Sequence, residues 1–142
     1  MKTPSTPDVP SAGALVEWFG AWPTFHDAEI LALHLNRDGV SSLRIHTWLL
    51  TNETYEQDGR RFYRTDKHAV VTFDLEEIVD LELSDFSGQN VISALYVERQ
   101  ADSIRLTLSP CYGLAGHIEA RRMSVAVKPW QDDQRTPSRE SP

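Results

Sequence analysis

The side chains best suited to chemistry stand close together near the start of the chain. His26 and Asp27 are adjacent, and Glu29 follows. Imidazole and carboxylates ligate metal ions, and a His–carboxylate pair can move a proton. If 28–36 is a strand, Asp27 and Glu29 project from one face, because side chains alternate along a strand. A distant histidine would then have to complete an ion site. The other reading is a turn, with Asp27 ordering the backbone after Pro23 and His26 bonding to main chain. Two adjacent residues do not by themselves specify a site, so a small metal-binding protein or metal-dependent hydrolase built on His26, Asp27 and Glu29 stands as the alternative function.

Other reactive groups are more scattered. His34 and His46 lie on segments that should pair, and facing imidazoles could bind zinc or change charge near neutral pH. Cys111 sits in Pro110-Cys111-Tyr112-Gly113 with no base beside it, which favours a semi-buried structural thiol. No Gly-x-Ser-x-Gly elbow and no strand–Gly-rich loop–helix unit occurs. No catalytic residue and no cofactor is therefore assigned.

Charge is more informative. The stretch 74–85 holds Asp74, Glu76, Glu77, Asp80, Glu82 and Asp85 and contains no Lys or Arg. Alternation puts Asp80 and Glu82 side by side, away from Val79, Leu81 and Leu83. Like charges this close repel, so a cationic partner would relieve them. The competing reading is a solvated face that guards a strand edge. Asp74, Asp80, Glu82 and Asp85 are the candidate partner-binding residues. Trp48 joins them as an aromatic anchor, since Trp48 and Trp22 are expected to be partly exposed. Arg60, Arg61, Arg64 and Lys67 interleave with Phe62 and Tyr63 but are flanked by acids, which favours a solvated arm over a nucleic-acid site.

The whole chain has 142 residues and a net charge of −7, from 14 basic and 21 acidic side chains. That argues against nucleic acid or an anionic membrane as the main partner. One cysteine excludes an intrachain disulfide framework. Neither a span of roughly 20 apolar residues nor a hydrophobic leader is evident, so a cytoplasmic location is expected.

The elements that must position these groups follow from periodicity. Residues 1–10 and 131–142 are Pro-rich and polar and are expected to be disordered tails around a single domain over 11–130. Ser11 is suited to cap a helix carrying Leu15, Val16, Trp18 and Phe19, with Gly20 as its stop. Leu31, Leu33 and Leu35 alternate in one strand and Leu43, Ile45, Thr47 and Leu49 in the next, across an Asp38-Gly39 turn. Residues 51–67 are polar and predict a protruding hairpin or long loop. Val71, Phe73 and Leu75 predict a third strand, and Val79, Leu81 and Leu83 a fourth. A further hairpin spans Ile92–Glu98 and Ile104–Leu108. The last strand changes phase at Arg121-Arg122, which calls for a β-bulge. The sum is an α+β fold: one N-terminal helix packed on a six- to seven-stranded, mostly antiparallel curved sheet. Its strand edges leave room for a homodimer.

Three segments carry a family resemblance. Trp22-Pro23-Thr24-Phe25-His26-Asp27-Ala28-Glu29-Ile30, then Asp85-Phe86-Ser87-Gly88-Gln89-Asn90-Val91-Ile92, then Tyr112-Gly113-Leu114-Ala115-Gly116 resemble landmarks of the bacterial immunity protein 50 family. His26, Asp27, Glu29, Phe86, Gln89 and Asn90 match the motif positions. The resemblance implies a small cytoplasmic α+β protein without catalysis that binds and neutralises a cognate secreted toxin. An acidic binder suits a basic toxin, because complementary charge speeds association. Phe86, Gln89 and Asn90 are equally suited to fixing the turn between two strands.

Overall fold

The computed structural model describes residues 6–130, apart from the side chains of 50–52 and 63. Of the expected tails at 1–10 and 131–142, residues 1–5 and 131–142 lie outside the described residues. Helix α1 (Ala12–Phe19) precedes six strands: β1 (Glu29–His34), β2 (Val40–Gln57), β3 (Arg60–Ser84), β4 (Val91–Arg99), β5 (Ile104–Tyr112) and β6 (Ala115–Pro129). All pairings are antiparallel, in the order β1-β2-β3-β6-β5-β4, and the sheet closes into a barrel. The fold is α+β, as the periodicity predicts, but the curved sheet goes all the way round.

Alternation explains the core. Leu43 faces Phe73, Ile45 faces Val71 and Thr47 faces Ala69 across β2 and β3. Phe73 and Leu75 in turn face Val125 and Met123 of β6. All nine are buried, since directly opposed residues share one face of a sheet. Helix α1 adds Leu15 and Phe19 to the same core. Gly20 ends the helix in a left-handed conformation, its N–H donating to Val16 O, as expected. Ser11 does not cap it: this residue is itself left-handed, at φ 69°, and its side chain makes no cap bond. Before the helix, Val9 is buried and Pro10 O accepts from Val125 N–H. Trp22, expected to be partly exposed, is instead buried against Phe25 and Phe73, with ring centroids 5.8 and 6.3 Å away.

The two strands expected over 71–83 are one. At Glu77 the backbone takes φ 58°, and pairing with β6 slips between Ile78 and Asp80. The irregularity is a bulge and not a turn, so the chain continues in the same direction and Leu81 still faces Ile118. On β6 the buried set changes from Ile118 and Ala120 to Met123 and Val125 across Arg121-Arg122, where the phase change was expected, with the register slip on the partner strand.

The polar stretch is a hairpin. Beyond Leu49 and Asp66, β2 and β3 pair only with each other, and they turn at Asp58-Gly59 with φ of 55° and 77°. Two successive left-handed residues match the twist of a tight hairpin. Residues 53–62 are exposed, and Tyr55 stacks on Phe62 with centroids 5.6 Å apart.

Closure depends on a short seam. β1 and β4 share one paired position, Glu29 with Val91. Around it, Ile92 N–H donates to Ala28 O, Asp27 N–H to Ile92 O, and Ile30 N–H to Asn90 O. Asn90 is itself buried, and its Oδ1 accepts from Ser87 N–H at 3.0 Å and Leu114 N–H at 2.8 Å, while Nδ2 donates to Ser87 O at 2.8 Å. Gly113 lets this amide in: a Cβ there would sit 2.4 Å from Asn90 Oδ1. Replacing Asn90 with Ala should cost about 2–4 kcal/mol, because two backbone donors lose their acceptor. Urea denaturation measures this; a loss under about 0.5 kcal/mol would show that the seam holds without the amide.

Candidate functional site

The first motif forms a turn. Phe25 and Asp27 are left-handed, at φ 63° and 67°, with Phe25 inserted in the core and Asp27 N–H tied to β4. His26 Nδ1 lies 3.2 Å from Asp27 Oδ2, and both side chains are exposed. Glu29 lies beyond them on β1, opposite His46. Among the described residues no three His, Cys, Asp or Glu side chains gather to hold a metal ion. The trio His26, Asp27 and Glu29 therefore does not converge on an ion, because the turn splays it around the start of β1. The second motif sits beside the first. Phe86 and Gln89 are exposed and Asn90 is buried, so the amide that satisfies the loop backbone is that of Asn90.

The acidic stretch lies along one strand, and bases reach it from β5 and β6, which sequence spacing did not reveal. Asp80 Oδ2 is 2.7 Å from His117 Nε2 and 3.9 Å from Arg105. Arg105 Nη2 also donates to Glu119 at 2.9 Å, and Ser103 Oγ donates to the same carboxylate. The hydrogen bond from His117 holds the Asp80 carboxyl below its ordinary range, and those from Ser103 and Arg105 do so for Glu119. Arg122 pairs with Glu77 and, at 3.4 Å, with Glu76, which raises the pKa of its guanidinium. Asp74 is half-buried between Ser42 and Ser124. Glu82 and Asp85 are exposed, and no ion pair forms at either among the described residues. Next to them Phe86 is 59% exposed and Leu81 is also exposed. This end of β3 is thus an anionic surface with an aromatic ring on it.

The three motif segments meet at the barrel seam: the Phe25–Ile30 backbone bonds to 90–92, and Asn90 bonds to Leu114. The model of the family described as Immunity protein 50 matches residues 12–129. The chain belongs to the immunity protein 50 family. No curated protein and no solved structure matches it. Among the described residues of this family member, no helix is long and apolar enough to cross a membrane.

Within this member of the immunity protein 50 family the histidines pair differently from expectation. His34 faces Ser42, and His46 faces Glu29, so His34 and His46 are not opposite each other. His46 instead meets His68 of β3, with Nε2 3.0 Å from Nδ1. Trp130 stacks on His46 with centroids 3.9 Å apart, and Trp48 stacks on His68 at 5.5 Å. The signal was hidden because the two histidines are 22 residues apart and meet only through the β2–β3 register. Cys111, expected to be semi-buried, is exposed, because it stands near the end of β5.

Burial first, and then the neighbouring His68, push the His46 pKa down from 6.5 to about 4. Between those values the unfolded chain binds more protons than the folded one, so stability rises with pH there. The neutral ring's contribution is fully present above pH 6.5 and fades as pH falls to about 4. Urea denaturation between pH 7 and 4 should show a steeper loss for the wild type than for His46→Gln. Equal slopes would show that the His46 ring is not the group that titrates.

Proposed function

We propose that this chain is a non-enzymatic immunity protein that neutralises a cognate bacterial toxin in the cytoplasm by binding it directly. The observation that carries this reading is the family match over 12–129, most of the folded chain. The partner is a basic protein, and the docking surface is the end of β3 with Asp80 and Glu82, together with Asp85 just past it. A net charge of −7 supports a cationic partner, since complementary charge raises the association rate. Glu82 and Asp85 lead because the Asp80 carboxylate is already engaged by His117 and lies beside Arg105. Phe86 supplies the apolar anchor that a charged rim needs around it. Asp74 lies further back along β3, and Trp48 stands on β2 beside the far part of that strand. Trp48 stacks on His68, near the other end of β3 from Glu82, so the proposed surface is centred on Glu82 and Asp85.

The test takes the products of the genes flanking this one as candidate toxins. Co-expression should rescue growth, and the purified pair should form a complex. The double variant Glu82→Lys/Asp85→Lys should associate at least about tenfold more slowly and with a weaker salt dependence. Association equally fast at about 50 and 500 mM salt would rule out the electrostatic component, because screening shortens the reach of exposed charges. Rescue without any complex would rule out direct binding.

A further inference from the structure

We propose that His46 and His68 form a two-imidazole chelating site for a divalent first-row transition-metal cation, with Cu2+ preferred. This does not depend on toxin binding and uses the opposite end of β3.

The two ring nitrogens that face each other, His46 Nε2 and His68 Nδ1, are 3.0 Å apart on adjacent strands. With metal–nitrogen bonds of about 2.0–2.1 Å, that separation subtends an angle of about 95° at a shared ion. Right-angled pairs of ligands belong to tetragonal and octahedral coordination, so Cu2+ and Ni2+ fit better than tetrahedral Zn2+. The preference for Cu2+ over Ni2+ follows the general affinity order of these ions.

The surroundings hold both rings in place. His68 Nε2 lies 2.8 Å from Thr65 Oγ1, which can accept its proton and leave the Nδ1 lone pair facing His46. Metal-bound imidazoles commonly use their second nitrogen in this way. Trp130 lies nearly parallel to His46, at 18°, and its backbone N–H donates to His68 O at 2.9 Å. Trp48 lies against both rings, at 5.1 Å from His46 and 5.5 Å from His68. Rings already fixed by stacking lose little freedom when they chelate. In the metal-free protein one N–H fills the space between the two rings. When the cation replaces that contact, His46 carries its proton on Nδ1, so two neutral rings bind with no net change in protons. Glu29 lies directly across from His46 on β1, which borders the site with a carboxylate. Since the described residues bring no group of three such ligands together, water completes the coordination and the ion stays exchangeable.

The experiment takes the full chain with any polyhistidine tag removed. CuCl2, NiCl2 and ZnCl2 are titrated in turn, with tryptophan fluorescence, calorimetry and, for Cu2+, electron paramagnetic resonance as readouts. The expected result is one Cu2+ per chain, quenched fluorescence, a spectrum with two nitrogen ligands, and affinity in the order Cu2+, Ni2+, Zn2+. His46→Gln and His68→Gln should each weaken Cu2+ binding at least about tenfold and remove the two-nitrogen signature, whereas His34→Gln should bind as the wild type does. Should either Gln variant fail to fold, Thr65→Val keeps both ligands and is expected to bind about tenfold more weakly. Unchanged binding in folded His46→Gln and His68→Gln, a loss of binding in His34→Gln, or a wild-type spectrum without two nitrogens would overturn the proposal.

Discussion

A six-stranded barrel closes only where its first and last neighbours meet, and here β1 and β4 share a single paired position, Glu29 with Val91. Such a short ladder has few hydrogen bonds of its own. The molecule compensates by making the segments before β1 and before β4 bond to the opposite strand's backbone, and by using the Asn90 amide to tie the loop before β4 to the β5–β6 turn at Leu114. An unpaired backbone group buried there would cost free energy comparable to a lost hydrogen bond, so the amide has little freedom to change. Close approach then constrains its neighbours. At Gly116, where φ is 128°, a Cβ would lie 1.9 Å from Glu82 O, so β6 can run beside the acidic end of β3 only without a side chain. The seam and the charged surface are thereby linked through the backbone of β3 and β6.

That link explains how an acidic strand is tolerated. A row of carboxylates on one strand repels itself. β5 and β6 answer it with Arg105, His117 and Arg122, which engage the acids on the barrel side. Beyond Asp80 the bases stop while the acids continue. The barrel therefore neutralises the part of the strand that it must pack and leaves Glu82 and Asp85 to the solvent.

Much of this was legible in the sequence, for a physical reason. Local alternation decides which face of a strand is buried, so Leu43 and Ile45, or Val71 and Phe73, declare themselves. The phase change at Arg121-Arg122 was visible for the same reason. What stayed hidden depends on contacts between distant segments. Glu77 looks like a break in a linear reading, yet pairing with β6 carries the strand through it. The acids looked unopposed because Arg105 and His117 come from other strands. His46 was matched with His34, since no local rule gives the register that brings it to His68. The motif His26-Asp27 suggested chemistry, but left-handed backbone at Phe25 and Asp27 makes it a corner. Within that frame Asn90 was marked only by pattern, and its role emerges from three hydrogen bonds, one of which reaches 24 residues along the chain.

The long hairpin has a mechanical consequence. Its β3 half is the same unbroken strand that carries the acidic end, so the exposed tip around Asp58-Gly59 and the surface at Glu82 are two poles of one rod clamped in the middle by the barrel. The tip is held by its own stacked rings and a two-stranded ladder, and can fray without opening the barrel. A body grasping one pole leaves the other unobstructed. Motion at the hairpin tip is thereby separated from the acidic end by the whole width of the barrel.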